Sequence, residues 1–246
     1  MDGQTIAIIA ALMCVGAMLY TAVGHAGASA YLAIMALFSI APETMRPTAL
    51  VLNILVASFT SWRFIRAGQF DLRLALPFVL GALPLAFLGG RLHVPPELYR
   101  PLVGGVLLLA GARLLWPRPL GSQAAISRPP IAASLASGGA IGLLSGLTGT
   151  GGGIFLSPLL IFFGWAPPRL ASGIAAVFIL SNSLSGLAGN LSSVGRLPAE
   201  LPYFIAAVAV GAAIGTNFGV ARLPTARLLQ ALGIVLIIAG AKLVLT

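Results

Sequence analysis

Residues 146–153 read Gly146-Leu147-Thr148-Gly149-Thr150-Gly151-Gly152-Gly153, so that five of eight positions are glycine. The octet lies inside a run of 40 residues, 129–168, that contains no Asp, Glu, Lys or Arg. A straight helix of that length would be about 60 Å long, roughly twice the hydrocarbon thickness of a membrane. Glycine disfavours helix and permits positive φ angles. The run is therefore predicted to break into two helical arms at the octet.

The composition places the whole chain in a membrane. Of its 246 residues, 59% are hydrophobic and only 8% are charged, whereas a soluble domain carries roughly 25% charged residues. The mean hydropathy is +1.03. Further uncharged runs of helix length follow one another, and no segment is left over for a soluble domain. We expect an all-α membrane protein with nominally eight transmembrane helices surrounded by lipid.

The net charge of +9 does not indicate a nucleic-acid partner, because the 14 basic residues lie almost entirely between the apolar runs. Two basic clusters flank turns that are two spans apart: Arg63, Arg66 and Arg73, then Arg113, Arg118 and Arg128. Two spans return the chain to the same side of the membrane. The positive-inside rule makes that side cytoplasmic, and the less basic connector near Arg91 is then expected outside.

The chain repeats itself at an offset of about 125 to 131 residues. Residues 110–114, Ala-Gly-Ala-Arg-Leu, match residues 239–243, Ala-Gly-Ala-Lys-Leu, and residues 24–28 lie opposite 149–153. We divide the chain into three parts: a first transmembrane repeat (1–116), a connector (117–130) and a second transmembrane repeat (131–246). Each repeat opens with a glycine-broken or re-entrant helix pair, and the charges do not decide between inverted and parallel repeats.

Internal repeats around a midplane site are typical of secondary transporters, although a duplication could also have produced only a larger bundle. Unwound backbone inside a membrane implies a cavity or a ligand. The arm after the second break, 154–164, has only 11 residues and fits a half-crossing. Its first N–H groups and its positive helix end favour an anion at the break.

The glycines allow two interpretations. Gly138, Gly142 and Gly146 are four residues apart, which is typical of close helix packing. Gly151, Gly152 and Gly153 are consecutive and cover every face of the chain, which favours a bound ligand.

Polar residues at membrane depth are neutral, which counts against an acidic proton relay and against a cation channel lined by carboxylates. The candidate substrate-binding residues lie in the two breaks and in the helices that follow them: Gly24, His25, Gly27, Asn53, Thr148, Gly149, Thr150, Gly151, Gly152, Gly153, Ser181, Asn182 and Ser183. Three roles are open for His25: it donates to an anion, takes up a coupled proton, or stays neutral and bonds to a carbonyl. Asn53 is equally compatible with an interhelical hydrogen bond.

The segment 142–160, GLLSGLTGTGGGIFLSPLL, resembles the glycine-rich signature of the sulfite exporter TauE/SafE family of bacterial permeases. The similarity continues through Ala171-Ser172-Gly173 and Ser181-Asn182-Ser183, whereas the first half departs from the pattern at residues 24–28. The resemblance carries over five motif positions: Gly149, Gly151, Gly152, Gly153 and Pro158. It implies a multi-pass permease for sulfur-containing anions in the cytoplasmic (inner) membrane of a bacterium, duplicated from a four-span unit.

These features predict a secondary transporter that moves a small sulfur-containing oxyanion or an organosulfonate, such as sulfite or sulfoacetate, by alternating access. The alternatives are an anion channel and a transporter of another small anionic metabolite. An intramembrane enzyme is disfavoured, because no carboxylate pair, metal cluster or nucleophile with its base lies at depth. We expect no catalytic residue, no metal, no cofactor and no nucleic-acid partner. The sequence leaves proton or sodium coupling and the oligomeric state open.

Overall fold

The computed structural model describes residues 2–115, 127–221 and 226–245, and most of the predicted connector lies outside them. The described residues form ten α-helices and one short 3-10 helix, Leu191–Arg196. The α-helices are α1 (Gly3–Thr21), α2 (Ala28–Leu37), α3 (Pro42–Arg66), α4 (Leu72–Arg91), α5 (Pro96–Leu115), α6 (Ile131–Thr148), α7 (Gly153–Phe162), α8 (Pro168–Gly189), α9 (Leu201–Ala221) and α10 (Ala226–Leu245).

Among the described helices, seven are long and apolar enough to cross a membrane: α1, α3, α4, α5, α6, α8 and α9. In α10 the corresponding apolar segment is the shorter Gly233–Leu245. The described residues thus form an all-helical multi-span membrane protein, and the count of eight spans stays nominal. Helices α2 and α7 have 10 residues each, about 15 Å of helix, or half of the hydrocarbon thickness. The short arm predicted after the second break is confirmed.

The helix lengths recur in the same order along the chain. Helices α1 to α5 have 19, 10, 25, 20 and 20 residues, and α6 to α10 have 18, 10, 22, 21 and 20. Gly24 and Gly27 bound the first break with φ angles of +78° and +98°, and Gly149 and Gly152 bound the second with +84° and +77°. L-residues rarely adopt this conformation. Each break therefore contains two glycines, three residues apart, in the left-handed conformation, and the second break has a third at Gly151.

Glycines set a close parallel contact between α4 and α6. Three glycines of α6 lie against the backbone of α4 in matching order: Gly138 against Phe78, Gly142 against Ala82 and Gly146 against Ala86. Residue numbers rise together along both helices, so the two helices run in the same direction. The packing role predicted for these three glycines is confirmed.

Helices α1 and α9 form the corresponding contact, since Gly211 and Gly215 of α9 lie against the Cys14 and Met18 carbonyls of α1. Here too the residue numbers rise together. The same type of seam thus occurs twice, once between α6 and α4 and once between α1 and α9.

Two other helix pairs are antiparallel. In the α5–α10 pair Gly104 faces Gly240 and Gly111 faces Gly233. In the α3–α8 pair the Asn53 side chain bonds to Ser183, and Leu50 lies against Gly186. The two members of each pair hold the same place in the recurring helix order. Corresponding helices therefore run in opposite directions.

Buried and exposed side chains separate as expected for a bundle in lipid. Tyr31 and Met35 of α2 and Leu52 of α3 are fully buried in the core. Large apolar side chains such as Leu109 and Phe162 are 64% and 65% exposed on the outside. An apolar outer surface would be a liability in water, whereas in a bilayer lipid chains cover it.

Candidate functional site

His25 joins the two helix breaks. It lies in the first break, and its Nε2 atom is 3.0 Å from the Gly153 carbonyl oxygen and 3.0 Å from Ser157 Oγ, both in the first turns of α7. Because a carbonyl oxygen only accepts, Nε2 carries a hydrogen and donates it to Gly153. This is the contact expected of a histidine that bonds to a carbonyl. The other two roles considered for His25, donation to an anion and uptake of a coupled proton, are not tested by this contact.

Asn53 and Ser183 meet in the middle of the α3–α8 crossing. Both side chains are fully buried, and Asn53 Nδ2 donates to Ser183 Oγ over 3.3 Å. A Cβ atom on Gly151 would stand 2.6 Å from Asn53 Nδ2, so both helices pack directly on the second break. The interhelical hydrogen bond considered for Asn53 is present, and its Oδ1 has no partner among the described residues.

Asn182 approaches the same break from α8. Its side chain is fully buried, and Nδ2 makes only a long hydrogen bond of 3.5 Å to the Gly151 carbonyl. Its Oδ1 also lacks a partner within the described part of the chain. A buried polar atom without a partner costs about 1–3 kcal/mol, so two of them, on Asn53 and Asn182, mark this cluster as a functional candidate.

Side chains from several helices enclose the three consecutive glycines. A Cβ atom on Gly152 would stand 2.7 Å from Ile141 Cγ2 and 3.1 Å from Phe178 Cε1. Gly153 lies against Ile179 and His25. Side chains therefore pack on several faces of the three consecutive glycines at once, and the bound ligand that these glycines favour stays a prediction. In this conformation protein side chains supply the cover that unwound backbone needs inside a membrane.

Thr148, Gly149 and Thr150 form the entrance to the second break from α6. The two threonine Oγ1 atoms are 2.9 Å apart, and the Tyr99 hydroxyl donates to the Thr148 carbonyl over 3.0 Å. A Cβ atom on Gly149 would stand 3.1 Å from the Arg46 carbonyl oxygen. Thr148 thus contacts Tyr99 and Gly149 contacts Arg46, whereas Thr150 bonds to Thr148.

The remaining candidates make packing contacts or a hydrogen bond within one helix. Gly24 lies against Ser172 at the start of α8, and Gly27 lies against the ring of Tyr31. Ser181 Oγ donates to the Val177 carbonyl of its own helix over 2.9 Å. Ser181 is therefore bonded within α8. The structure brings together seven of the candidates: His25, Asn53, Gly151, Gly152, Gly153, Asn182 and Ser183.

Arg46 is a further candidate, which the folded structure reveals. It is only 7% exposed, and its guanidinium donates to three carbonyls at the end of α4, those of Gly89 at 2.5 Å, Gly90 at 2.7 Å and Leu92 at 3.2 Å. A buried arginine in a membrane protein is a functional candidate by default. Its place just before a long apolar run was the available signal, and it looked like an ordinary boundary charge.

A cavity of about 320 Å³ opens beside Arg46. It lies between the start of α3, the α4–α5 connector, the end of α8 and the 3-10 helix, and its polar lining includes Glu43, Arg46, His93, Tyr99, Asn190, Ser192, Ser193 and Arg196. Arg46 and Tyr99 also contact residues 148 and 149. The inner wall of the cavity therefore adjoins the second break.

Apolar helices of membrane length, broken twice around one buried polar cluster, define a multi-pass membrane protein built for transport. The chain matches the model of the family described as sulfite exporter TauE/SafE over residues 8–243, and it belongs to that family. It is 36% identical over 246 residues to the "Probable membrane transporter protein y4hK" of Sinorhizobium fredii (strain NBRC 101917 / NGR234), with 99% of each chain covered. No solved structure matches. The protein is a membrane transporter of the bacterial inner membrane, as the sequence predicted.

Proposed function

We propose that the protein is a secondary transporter that moves small sulfur-containing oxyanions or organosulfonates, such as sulfite or sulfoacetate, by alternating access. The observation that carries the proposal is the meeting of the two helix breaks at His25 and Gly153, beside the buried amides of Asn53 and Asn182. Membership of a family described as sulfite exporters supports the sulfur chemistry of the substrate.

The helix ends at the breaks supply an attraction for an anion. Helices α2 and α7 both begin where a break ends, at Ala28 and Gly153. Each helix N-terminus carries partial positive charge and free N–H groups. Each such end favours a small oxyanion without a fixed cation at the site. The neutral amides nearby add hydrogen-bonding groups that select the shape of the anion.

The helix directions support alternating access. Corresponding helices run antiparallel in the α3–α8 and α5–α10 pairs, so we infer that the repeats 1–116 and 131–246 are inverted relative to each other. Inverted repeats can exchange conformations and so open a central site first to one side and then to the other. Cavities of about 320 Å³ and 350 Å³ lie near the start of α3 and the start of α4, at opposite ends of the bundle.

Flux in proteoliposomes tests this proposal. The purified full chain is reconstituted, the vesicles are loaded with ³⁵S-labelled sulfite or sulfoacetate, and efflux is followed with and without unlabelled anion outside. We expect saturable efflux that the outside anion accelerates by exchange. Efflux that rises linearly with concentration and shows no exchange would indicate a channel. Efflux equal to that of protein-free vesicles, for every sulfur anion tried, would refute the substrate class.

His25 can be tested in the same assay. In the structure Nε2 donates to the Gly153 carbonyl, a role that the amide N–H of glutamine can fill. We therefore expect the flux of His25→Gln to depend on pH as the wild type does, over the range within about one unit of the ordinary histidine pKa of about 6.5. His25→Ala, which removes the donor, is the comparison variant and should lower thermal stability. A pH profile that shifts in His25→Gln would show that His25 carries a proton during transport.

A further inference from the structure

The Arg46 side chain leaves a buried positive charge close to the second break. All three of its hydrogen bonds go to carbonyls at the end of α4, and none goes to a carboxylate. Its Nε atom is buried without a partner among the described residues. The negative end of the α4 helix offsets part of the charge. A guanidinium with a donor to spare is well suited to an oxyanion, because its N–H groups match the geometry of such ligands.

The lining of the cavity beside Arg46 also favours a negatively charged ligand. Two guanidinium groups, those of Arg46 and Arg196, line it together with one carboxylate, that of Glu43. His93, Asn190, Ser192 and Ser193 contribute further polar groups to the lining. Among the described residues that line the cavity, the charged groups sum to one net positive charge. Low-dielectric walls around a concave site concentrate the electric field of such a charge. The cavity volume of about 320 Å³ accommodates a small solvated anion.

We propose that this cavity is a second anion-binding site, a vestibule that holds small oxyanions between the surface of the bundle and the helix breaks. Arg46 closes the inner end of the vestibule, since it lines the cavity and also lies against Gly149 of the second break. Arg196 stands at the exposed outer part. That the captured anion is a sulfur oxyanion rests on the proposed function, whereas the preference for negative charge does not.

The vestibule opens on the outer side of the membrane. Glu43 and Arg46 lie at the start of α3, and the basic pair Arg63 and Arg66 lies at its other end. The 25 residues of α3 span about 37 Å, so these groups are at opposite ends of the bundle. The positive-inside rule places Arg63 and Arg66 in the cytoplasm. The vestibule is thus the entrance for an anion arriving from outside, or the exit for one that leaves the cell.

Paired thiol reagents of opposite charge test the vestibule without any transport assay. Cys14 is the only cysteine of the chain, so Ser192→Cys is made in a Cys14→Ser background. The probes are 2-sulfonatoethyl methanethiosulfonate, which is an anionic sulfonate, and its cationic trimethylammonium counterpart. The rate at which each reagent modifies the introduced cysteine is measured and divided by the rate of the same reagent with free cysteine. Leu191→Cys is the control, since Leu191 precedes Ser192 in the same 3-10 helix, is 66% exposed and lies outside the cavity lining.

We expect the normalised anion-to-cation rate ratio at Ser192→Cys to exceed that at Leu191→Cys on the order of tenfold at low salt, the effect of one net charge about 6 Å away in water. Added Arg196→Gln should bring the ratio close to that of the control. Arg196 is exposed, so its replacement should not affect folding. Arg91 lies on the same side of the membrane but outside the cavity lining, and Arg91→Gln should therefore leave the ratio unchanged. Sulfoacetate should slow the anionic probe, and uncharged methanesulfonamide should not.

The two proposals fail separately. Equal ratios at Ser192→Cys and Leu191→Cys, in a protein that transports sulfur anions in vesicles, would overturn the vestibule and leave the proposed function intact. A tenfold ratio in a protein that transports no sulfur anion would establish the anion site and refute the substrate class. In intact cells the impermeant cationic probe should label Ser192→Cys from outside. Labelling confined to inverted vesicles would overturn the outer location.

Discussion

Replacing Gly146 by alanine is expected to lower the free energy of unfolding by about 1–3 kcal/mol, the usual effect of overpacking. The new Cβ would overlap the Ala86 carbonyl oxygen and stand 2.9 Å from the Gly90 backbone nitrogen. Because both neighbours are backbone atoms, no side chain can rotate away, and α4 and α6 must move apart. The measurement is thermal unfolding of the purified protein in detergent.

Gly105→Ala is the matched control for this prediction. Gly105 also lies within a transmembrane helix, α5, but a Cβ atom there would meet nothing within 4 Å. Alanine favours helix over glycine by about 1 kcal/mol, so this variant should unfold at the same temperature as the wild type or at a higher one. Equal destabilisation by both substitutions would show that the backbones of α4 and α6 are not in tight contact at Gly146.

Replacing Asn182 by alanine is expected to reduce the transport rate by about tenfold or more, equivalent to about 1.4 kcal/mol of lost interaction. The carboxamide of Asn182 is buried against Gly151 and Gly152 of the break, and its Oδ1 atom lacks a partner among the described residues. If substrate supplies that partner during the cycle, its removal weakens binding of the transported anion. The measurement is initial efflux from proteoliposomes at several substrate concentrations.

Ser181→Ala is the control for Asn182→Ala, one residue earlier in the same helix. The Ser181 hydroxyl bonds to the Val177 carbonyl of α8, so its loss should leave transport close to that of the wild type. Both variants should reach the membrane in equal amounts. Equal rates in the two variants would remove Asn182 from the transport site.

Much of the fold could be predicted because its determinants are local in sequence. The five glycines of 146–153 indicate a break wherever the rest of the chain lies, and the 11 residues after it are too few to cross a bilayer. The four-residue spacing of Gly138, Gly142 and Gly146 likewise indicates one packed helix face. The relative direction of the two halves depends on contacts between distant helices, such as Gly104 with Gly240, and charge counts alone did not reveal it.

The site was only partly predictable, because a sequence does not show which face a residue occupies. Successive residues of a helix are rotated by about 100°, and so Asn182 faces the break while Ser181 bonds within α8. Ser157, in contact with His25, was not among the candidates. Arg46 looked like a boundary charge, since only the folded chain places the end of α4 around it.

The transport proposal requires that an anion bind at the meeting point of the two breaks, and a thermal-shift assay measures this binding. Purified wild type, Ser181→Ala and Asn182→Ala are each unfolded with sulfite, thiosulfate, sulfoacetate, sulfate or uncharged methanesulfonamide. A ligand that binds the native state raises the unfolding temperature as its concentration rises. We expect one sulfur oxyanion to stabilise the wild type and Ser181→Ala selectively, and Asn182→Ala much less. No stabilisation by any anion, or equal stabilisation of all three proteins that persists when Arg196→Gln removes the net charge of the vestibule, would contradict anion binding at the breaks.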